Sequence, residues 1–151
     1  GDDCQLIFKG LVVTEPGTDE QAYHPDGPQV SREVWEQYGA ADMGSLDLDM
    51  HTLPAHCLCV FLPLVDLSSE NGPTAFLPGS HHTNTVRRLE AEAADASAAG
   101  SSAGIGLPAS LDVSAGDCII FDVRVQHAGS ANVSTTRRPV LYLVFGRGWY
   151  D

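Results

Sequence analysis

Short apolar runs alternate along the chain with clusters of glycine, proline and polar residues, and most runs have the length of a β-strand rather than a helix. Residues 6–13 are one such run, closed by Thr14-Glu15-Pro16-Gly17, which predicts a buried strand ending in a turn. Residues 21–26 follow directly. Pro25 has no backbone donor and Asp26-Gly27-Pro28 is turn chemistry, so this segment is expected at the end of an edge strand, where the chain leaves a sheet. Residues 46–50 alternate as a half-exposed strand does, and residues 57–67 are apolar on both faces, as a buried strand requires. Beyond the turn cluster 68–73, Ala75-Phe76-Leu77 predicts a short strand that stops at Pro78-Gly79-Ser80, and the two runs read as a hairpin.

Strand character returns at 107–113, and Ala115-Gly116-Asp117 turns the chain into 118–127, the clearest periodicity in the sequence. Ile119, Phe121, Val123 and Val125 share one face and are expected inside; Asp122, Arg124 and Gln126 share the other and are expected in solvent. His127 continues the inner stripe. The last run, 139–145, is apolar on both faces and is preceded by Arg137-Arg138, of which one side chain must point in and the other out. Only residues 31–38 carry convincing helix signals: Ser31 as a cap, an acid in the first turn, and Val34 and Tyr38 four apart. Residues 89–106 are alanine, serine and glycine with scattered acids, a composition expected of a mobile surface excursion that borders an opening. Some eight short strands with one or two short helices predict an all-β antiparallel jelly roll.

With 151 residues, 43% of them hydrophobic, the chain suffices for one compact domain spanning 1–151; its glycine start and immediate entry into a strand are what an excerpt of a longer chain would show. A net charge of −12, with one lysine among eight basic residues, argues against a nucleic-acid partner. No stretch reaches the apolar length of a membrane span, and residues 1–3 do not begin a secretory signal. Cys57 and Cys59, one residue apart in an apolar run, suit neither a zinc knuckle nor a redox pair and read as core thiols, which favours a reducing compartment.

The residues that carry chemistry are His24 and Asp26, two apart, and His127 about a hundred residues later. His and Asp at this spacing share one face of an extended segment. With a second imidazole they form the two-histidine, one-carboxylate set that holds Fe(II) on one side and leaves the opposite positions open. By themselves the three are a weak signal, since a histidine beside proline and glycine is commonly a turn residue. His51, His56, His81 and His82 are read as ordinary, and Trp35, Tyr142 and Trp149 are given no role.

Context strengthens the triplet. Gln21-x-x-His24-x-Asp26, the turn ending Glu70-Asn71-Gly72-Pro73-Thr74, the run Leu77-Pro78-Gly79-Ser80-His81, Gly116-Asp117-x-Ile119, and His127 followed by Asn132 and Arg138 together resemble the phytanoyl-CoA dioxygenase family of Fe(II)- and 2-oxoglutarate-dependent oxygenases. The resemblance runs from about Pro16 to about Phe145. It implies a double-stranded β-helix, a distorted jelly roll of cupin-like kind. It implies His24, Asp26 and His127 as catalytic metal ligands, Arg138 as the anchor of the distal carboxylate of 2-oxoglutarate, and Gln21 near the co-substrate. Arg137 is then the outward neighbour. The activity implied is that of a non-haem iron dioxygenase that consumes 2-oxoglutarate and dioxygen and oxidises an unactivated C–H bond of a small organic substrate. Halogenating relatives lack the carboxylate ligand, so the presence of Asp26 favours hydroxylation or a related oxidation. The chain is shorter than such enzymes usually are, and its acidity gives no support for a CoA thioester. Two rivals remain: a non-catalytic jelly-roll module of a larger protein, and a cupin-like metalloenzyme without 2-oxoglutarate, against which Arg138 argues.

Overall fold

A computed structural model of the chain describes residues 4–27, 54–82 and 109–150. The expected helix at 31–38, the strand at 46–50, the tract 89–106, Trp35 and His51 lie outside the described residues. Seven strands are present among them: β1 (Cys4–Thr14), β2 (Cys57–Pro63), β3 (Thr74–Phe76), β4 (Ala109–Ser110), β5 (Ile119–Asp122), β6 (His127–Gly129) and β7 (Arg138–Arg147). They form two antiparallel sheets in the orders β1-β7-β2-β5 and β4-β3-β6, a cupin-like jelly roll, with no helix among the described residues.

Long strand runs give the first sheet its register. β7 lies between β1 and β2, so its residues meet apolar partners on both sides: Val140 pairs Val12 and Pro63, and Tyr142 pairs Gly10 and Phe61. Between the sheets, Cys57, Cys59, Phe76, Phe121 and Val123 form the buried cluster, with Phe61, Val125, Tyr142 and Val144 packed against it. Phe121 meets Phe61 and Phe76 edge-on at centroid distances of 4.9 and 5.0 Å, a geometry that aromatic quadrupoles favour. Both core cysteines are free thiols, as the apolar spacing predicted.

Four expectations are corrected. β1 is not buried: Leu6, Phe8 and Leu11 are each half exposed or more, and among the described residues β7 is the one strand that β1 pairs with. Residues 57–67 and 75–77 are not a hairpin. β2 pairs β5 and β7 while β3 pairs β4 and β6, so the turn cluster 68–73 carries the chain from one sheet to the other.

Residues 118–127 are two strands, not one. Val125 N–H donates to the Asp122 carbonyl at 2.8 Å, and the Asp122 carboxylate accepts from the Arg124 backbone N–H and Nε, each at 2.9 Å, and from Nη2 at 2.5 Å. This fork closes a turn between the sheets and draws Arg124 out of solvent, to 4% exposure. Lastly, 21–26 is not the end of a strand but an irregular segment that pairs with β6 through an isolated bridge, His24 to His127.

The crossover at 68–73 is built on side-chain bonds. Asn71 donates to the Asp66 carbonyl at 2.7 Å and accepts from Ser68 N–H at 3.0 Å. Gly72 has φ 74°, and a Cβ there would stand 2.4 Å from the Ser130 carbonyl oxygen, so both conformation and space require glycine.

Candidate metal centre

His127 opens β6, and its backbone exchanges two hydrogen bonds with His24, at 2.9 and 3.0 Å. Two residues on, Asp26 N–H and Gly27 N–H both donate to the Val123 carbonyl, which pins the end of the triplet to the turn between β5 and β6. The segment 21–26 is thus stitched along the free edge of β6, beginning with Gln21 N–H donating to the Gly129 carbonyl at 2.9 Å. These backbone bonds, rather than strand alternation, bring the three side chains together. One ligand atom from each of His24, Asp26 and His127 lies within 4.8 Å of the others, and His127 Nε2 stands 3.5 Å from Asp26 Oδ1.

Both imidazoles are oriented by carbonyl oxygens. His24 Nδ1 lies 2.9 Å from the Ala22 carbonyl and His127 Nδ1 lies 3.0 Å from that of Val125. A carbonyl only accepts, so in each ring Nδ1 carries a proton, and Nε2 is the nitrogen left to bind an ion once any proton on it is given up. His127 is 4% exposed and boxed by Phe121, Phe76 and Phe61 at 5.0 to 6.1 Å. Burial pushes the His127 pKa down, but the hydrogen bond to Asp26, the Val125 carbonyl and the Asp26 charge outweigh it, and the net shift is upward. Burial likewise pushes Asp26 up, while the bond from His127, the charges of both histidines and a bond from the Cys59 thiol bring it below the ordinary carboxylate range.

The three line a cavity of about 150 Å³ that Arg138, Gln21 and Thr74 also line. Arg138 begins β7 opposite Thr14, is 4% exposed, and donates from Nη2 to Thr14 Oγ1 at 2.6 Å. Its Nε is buried with no hydrogen-bond partner, and burial pushes its pKa down. Arg137 points the other way, to a solvent-exposed pair with Glu15 at 2.9 Å, an arrangement that contributes little to stability. Gln21 Oε1 accepts from Gly129 N–H at 2.9 Å, so its amide NH2 is the group left to donate.

Sequence reasoning gave no role to Thr14 and none beyond motif membership to Asn132. Asn132 is fully buried, donates to the carbonyls of Thr14 and Thr136 at 3.2 and 2.9 Å, and accepts from Ser134, which fixes both strand ends that carry Thr14 and Arg138. The β1–β7 register, which no sequence pattern specified, is the signal that would have found Thr14. The other described histidines sit elsewhere: His56 is 1% exposed with neither ring nitrogen bonded, and the rings of His81 and His82 lie tilted against each other at 3.9 Å. Among the described residues, His24, Asp26 and His127 are the one group of three or more such side chains close enough to share an ion.

The chain matches the phytanoyl-CoA dioxygenase (PhyH) family over residues 3–140. Among solved structures it is similar to EvdMO1, with TM-score 0.64 and 19% identity over 97% of this chain and 28% of that one. It is similar to SnoK, a non-haem alpha-ketoglutarate-dependent carbocyclase from nogalamycin biosynthesis, with TM-score 0.61 and 18% identity over 95% of this chain and 50% of that one. It is similar also to EctD from S. alaskensis, solved with 2-oxoglutarate and 5-hydroxyectoine, with TM-score 0.59 and 18% identity over 96% of this chain and 45% of that one. At such identities the likeness is one of fold, and the chain spans half the length of these proteins or less.

Proposed function

Because the chain belongs to the phytanoyl-CoA dioxygenase family, we propose that His24, Asp26 and His127 hold Fe(II), that Arg138 holds 2-oxoglutarate, and that the protein oxidises an unactivated C–H bond of a small organic molecule. The donor set fits the ion. Two neutral imidazoles and a carboxylate are what non-haem Fe(II) takes on one face, and here the carbonyl-bound Nδ1–H groups leave Nε2 of each ring as the nitrogen to bind it. When bound, iron and 2-oxoglutarate together supply the activation of dioxygen, with succinate and carbon dioxide as the co-products.

The chain's own residues do the rest. Arg138, buried with an unpartnered Nε, offers a planar fork that a carboxylate can accept through two parallel bonds, fixing the co-substrate's orientation as an ammonium could not. Thr14 holds that fork from the side, and Gln21 brings an amide donor to the cavity. Val12, Phe61 and Val140 give the same cavity apolar walls, which disfavour water there. Hydroxylation is the form of oxidation that the intact carboxylate ligand favours, although the fold also serves a carbocyclase.

The observation that carries this reading is the convergence of three ligand atoms within 4.8 Å in a cavity that also contains a buried, under-partnered arginine. An idle module has no need of that arginine, and neither does a metalloenzyme without an anionic co-substrate. Anaerobic titration with Fe(II) and then 2-oxoglutarate tests it. A weak visible charge-transfer band is expected, abolished by His127→Ala and displaced to higher 2-oxoglutarate concentration by Arg138→Ala. No band, or a band that survives His127→Ala, overturns the reading.

A further inference from the structure

A second cavity, of about 330 Å³, shares two walls with the first: Asp26 and the ring of Tyr142 border both. Its volume falls at the lower end of the range that small-molecule sites occupy. The other walls are apolar. Ile7 and Phe8 come from β1, Val144 from β7, and Val123 and Tyr150 close the sides. Tyr142 lies across Gly10, where an added Cβ would stand 2.5 Å from its Cε1, and stacks on Phe8 at 5.4 Å, so glycine at position 10 is what lets the ring form the partition. Its hydroxyl also stands over Gly10, 2.9 Å from where that Cβ would be, on the wall between the two cavities.

Charge decides what this cavity can take. No lysine or arginine stands among its described walls, and the Cys57 thiol there, pushed up to about 11 chiefly by burial, is neutral. A carboxylate or phosphate would be desolvated with no cation to receive it. Among the described walls a cationic group would find Asp26, the carboxylate already assigned to the metal, and the rings of Phe8, Tyr142 and Tyr150, whose attraction does not replace the hydration it gives up. Phe8 meanwhile is 53% exposed and Ile7 36%, an uncovered apolar surface beside the candidate centre.

The geometry points to this cavity as the substrate site, for an uncharged, largely hydrocarbon molecule bearing one hydroxyl or carbonyl that Tyr142 receives. The inference rests on the iron reading above, since it is the shared Asp26 wall that sets a C–H bond of the bound molecule beside the centre.

Three probes of one shape separate the alternatives: cyclohexylmethanol, cyclohexanecarboxylate and cyclohexylmethylammonium. Each is titrated by calorimetry into the whole chain, with and without Fe(II) and 2-oxoglutarate. The alcohol is expected to bind, and both ions to bind at least about tenfold more weakly. Val144→Trp, whose indole fills the cavity, is expected to weaken the alcohol by about tenfold or more; Ile7→Trp, on the edge strand, provides the same test should the first variant fail to fold. An ion that binds as well as the alcohol, or an alcohol that does not bind or is indifferent to both tryptophan variants, overturns the inference. If the charge-transfer band forms but the neutral preference is missing, only the substrate class falls. If the preference is present without the band, the pocket stands as an apolar site and the iron reading falls.

Discussion

Replacing Arg138 by methionine should separate its binding role from a structural one. The guanidinium is 4% exposed, makes one bond from Nη2 to Thr14, and leaves Nε buried and unpartnered. Methionine loses the Thr14 bond, worth about 1 kcal/mol, but removes an unsatisfied buried donor that costs about 1–3 kcal/mol, so ligand-free stability should stay level or rise slightly. The loaded protein behaves differently. Two charge-assisted bonds to a carboxylate at about 1.5–3 kcal/mol each put the loss at about 3–6 kcal/mol, or roughly a hundredfold or more in the dissociation constant of 2-oxoglutarate. Anaerobic thermal melting with Fe(II) reads both effects at once. At 2-oxoglutarate about 100-fold above the wild-type dissociation constant the stabilisation is about 2.7 kcal/mol, and in Arg138→Met at that concentration it is about 0.4 kcal/mol or less. For a chain of this size, that is an upward shift of about 5–10 °C reduced to about 1 °C. A variant that melts well below wild type without ligand, yet keeps the 2-oxoglutarate shift, would refute the assignment.

His56 is held neutral in the folded protein, at about 4, by burial and then by the Arg124 charge, with Asp122 opposing. Unfolded, it takes up its proton near pH 6.5, so stability is complete above that pH and falls as pH drops toward 4, by up to roughly 3 kcal/mol. Urea unfolding of wild type and His56→Gln at pH 7 and pH 4.5 checks this, and equal pH dependence in the two proteins would contradict it. Gly72→Ala should destabilise by about 2 kcal/mol or more, from positive φ and the collision with the Ser130 carbonyl, read as a lower denaturation midpoint with unchanged m-value. Asn132→Ala leaves the carbonyls of Thr14 and Thr136 without that donor. It should cost about 2–3 kcal/mol and also weaken 2-oxoglutarate binding, whereas an effect on stability alone would show that Arg138 is placed independently of Asn132.

Much of the fold was legible because each turn announced itself chemically. Gly17, Gly72, Gly79 and Gly116, all in predicted turns, all adopt positive φ. What escaped was the partner of each strand, since periodicity describes one chain's faces and not its neighbours. The run 118–127 shows the limit: alternation across it gave the right burial for Val123 and His127 but the wrong burial for Arg124, because the Asp122–Arg124 fork breaks the strand in the middle. His24 and Asp26 were legible as a pair from their spacing, yet their meeting with His127 depends on backbone bonds along an edge that no side-chain pattern encodes. Thr14, Tyr142 and Gly10 escaped for a related reason, since their significance comes from the register of β1 on β7.

The mutual backbone bonds between His24 and His127 have a wider consequence. Two donors fastened to each other directly carry their own ruler, so the gap between them does not vary with the breathing of either sheet or with the length of the connections around them. Such a clasp tolerates turnover in the surrounding architecture: lids, entrance loops and flanking segments can be exchanged or lost while the span offered to an ion stays fixed. The dimensions of the candidate centre are therefore kept locally, and selectivity is left to whatever surrounds it.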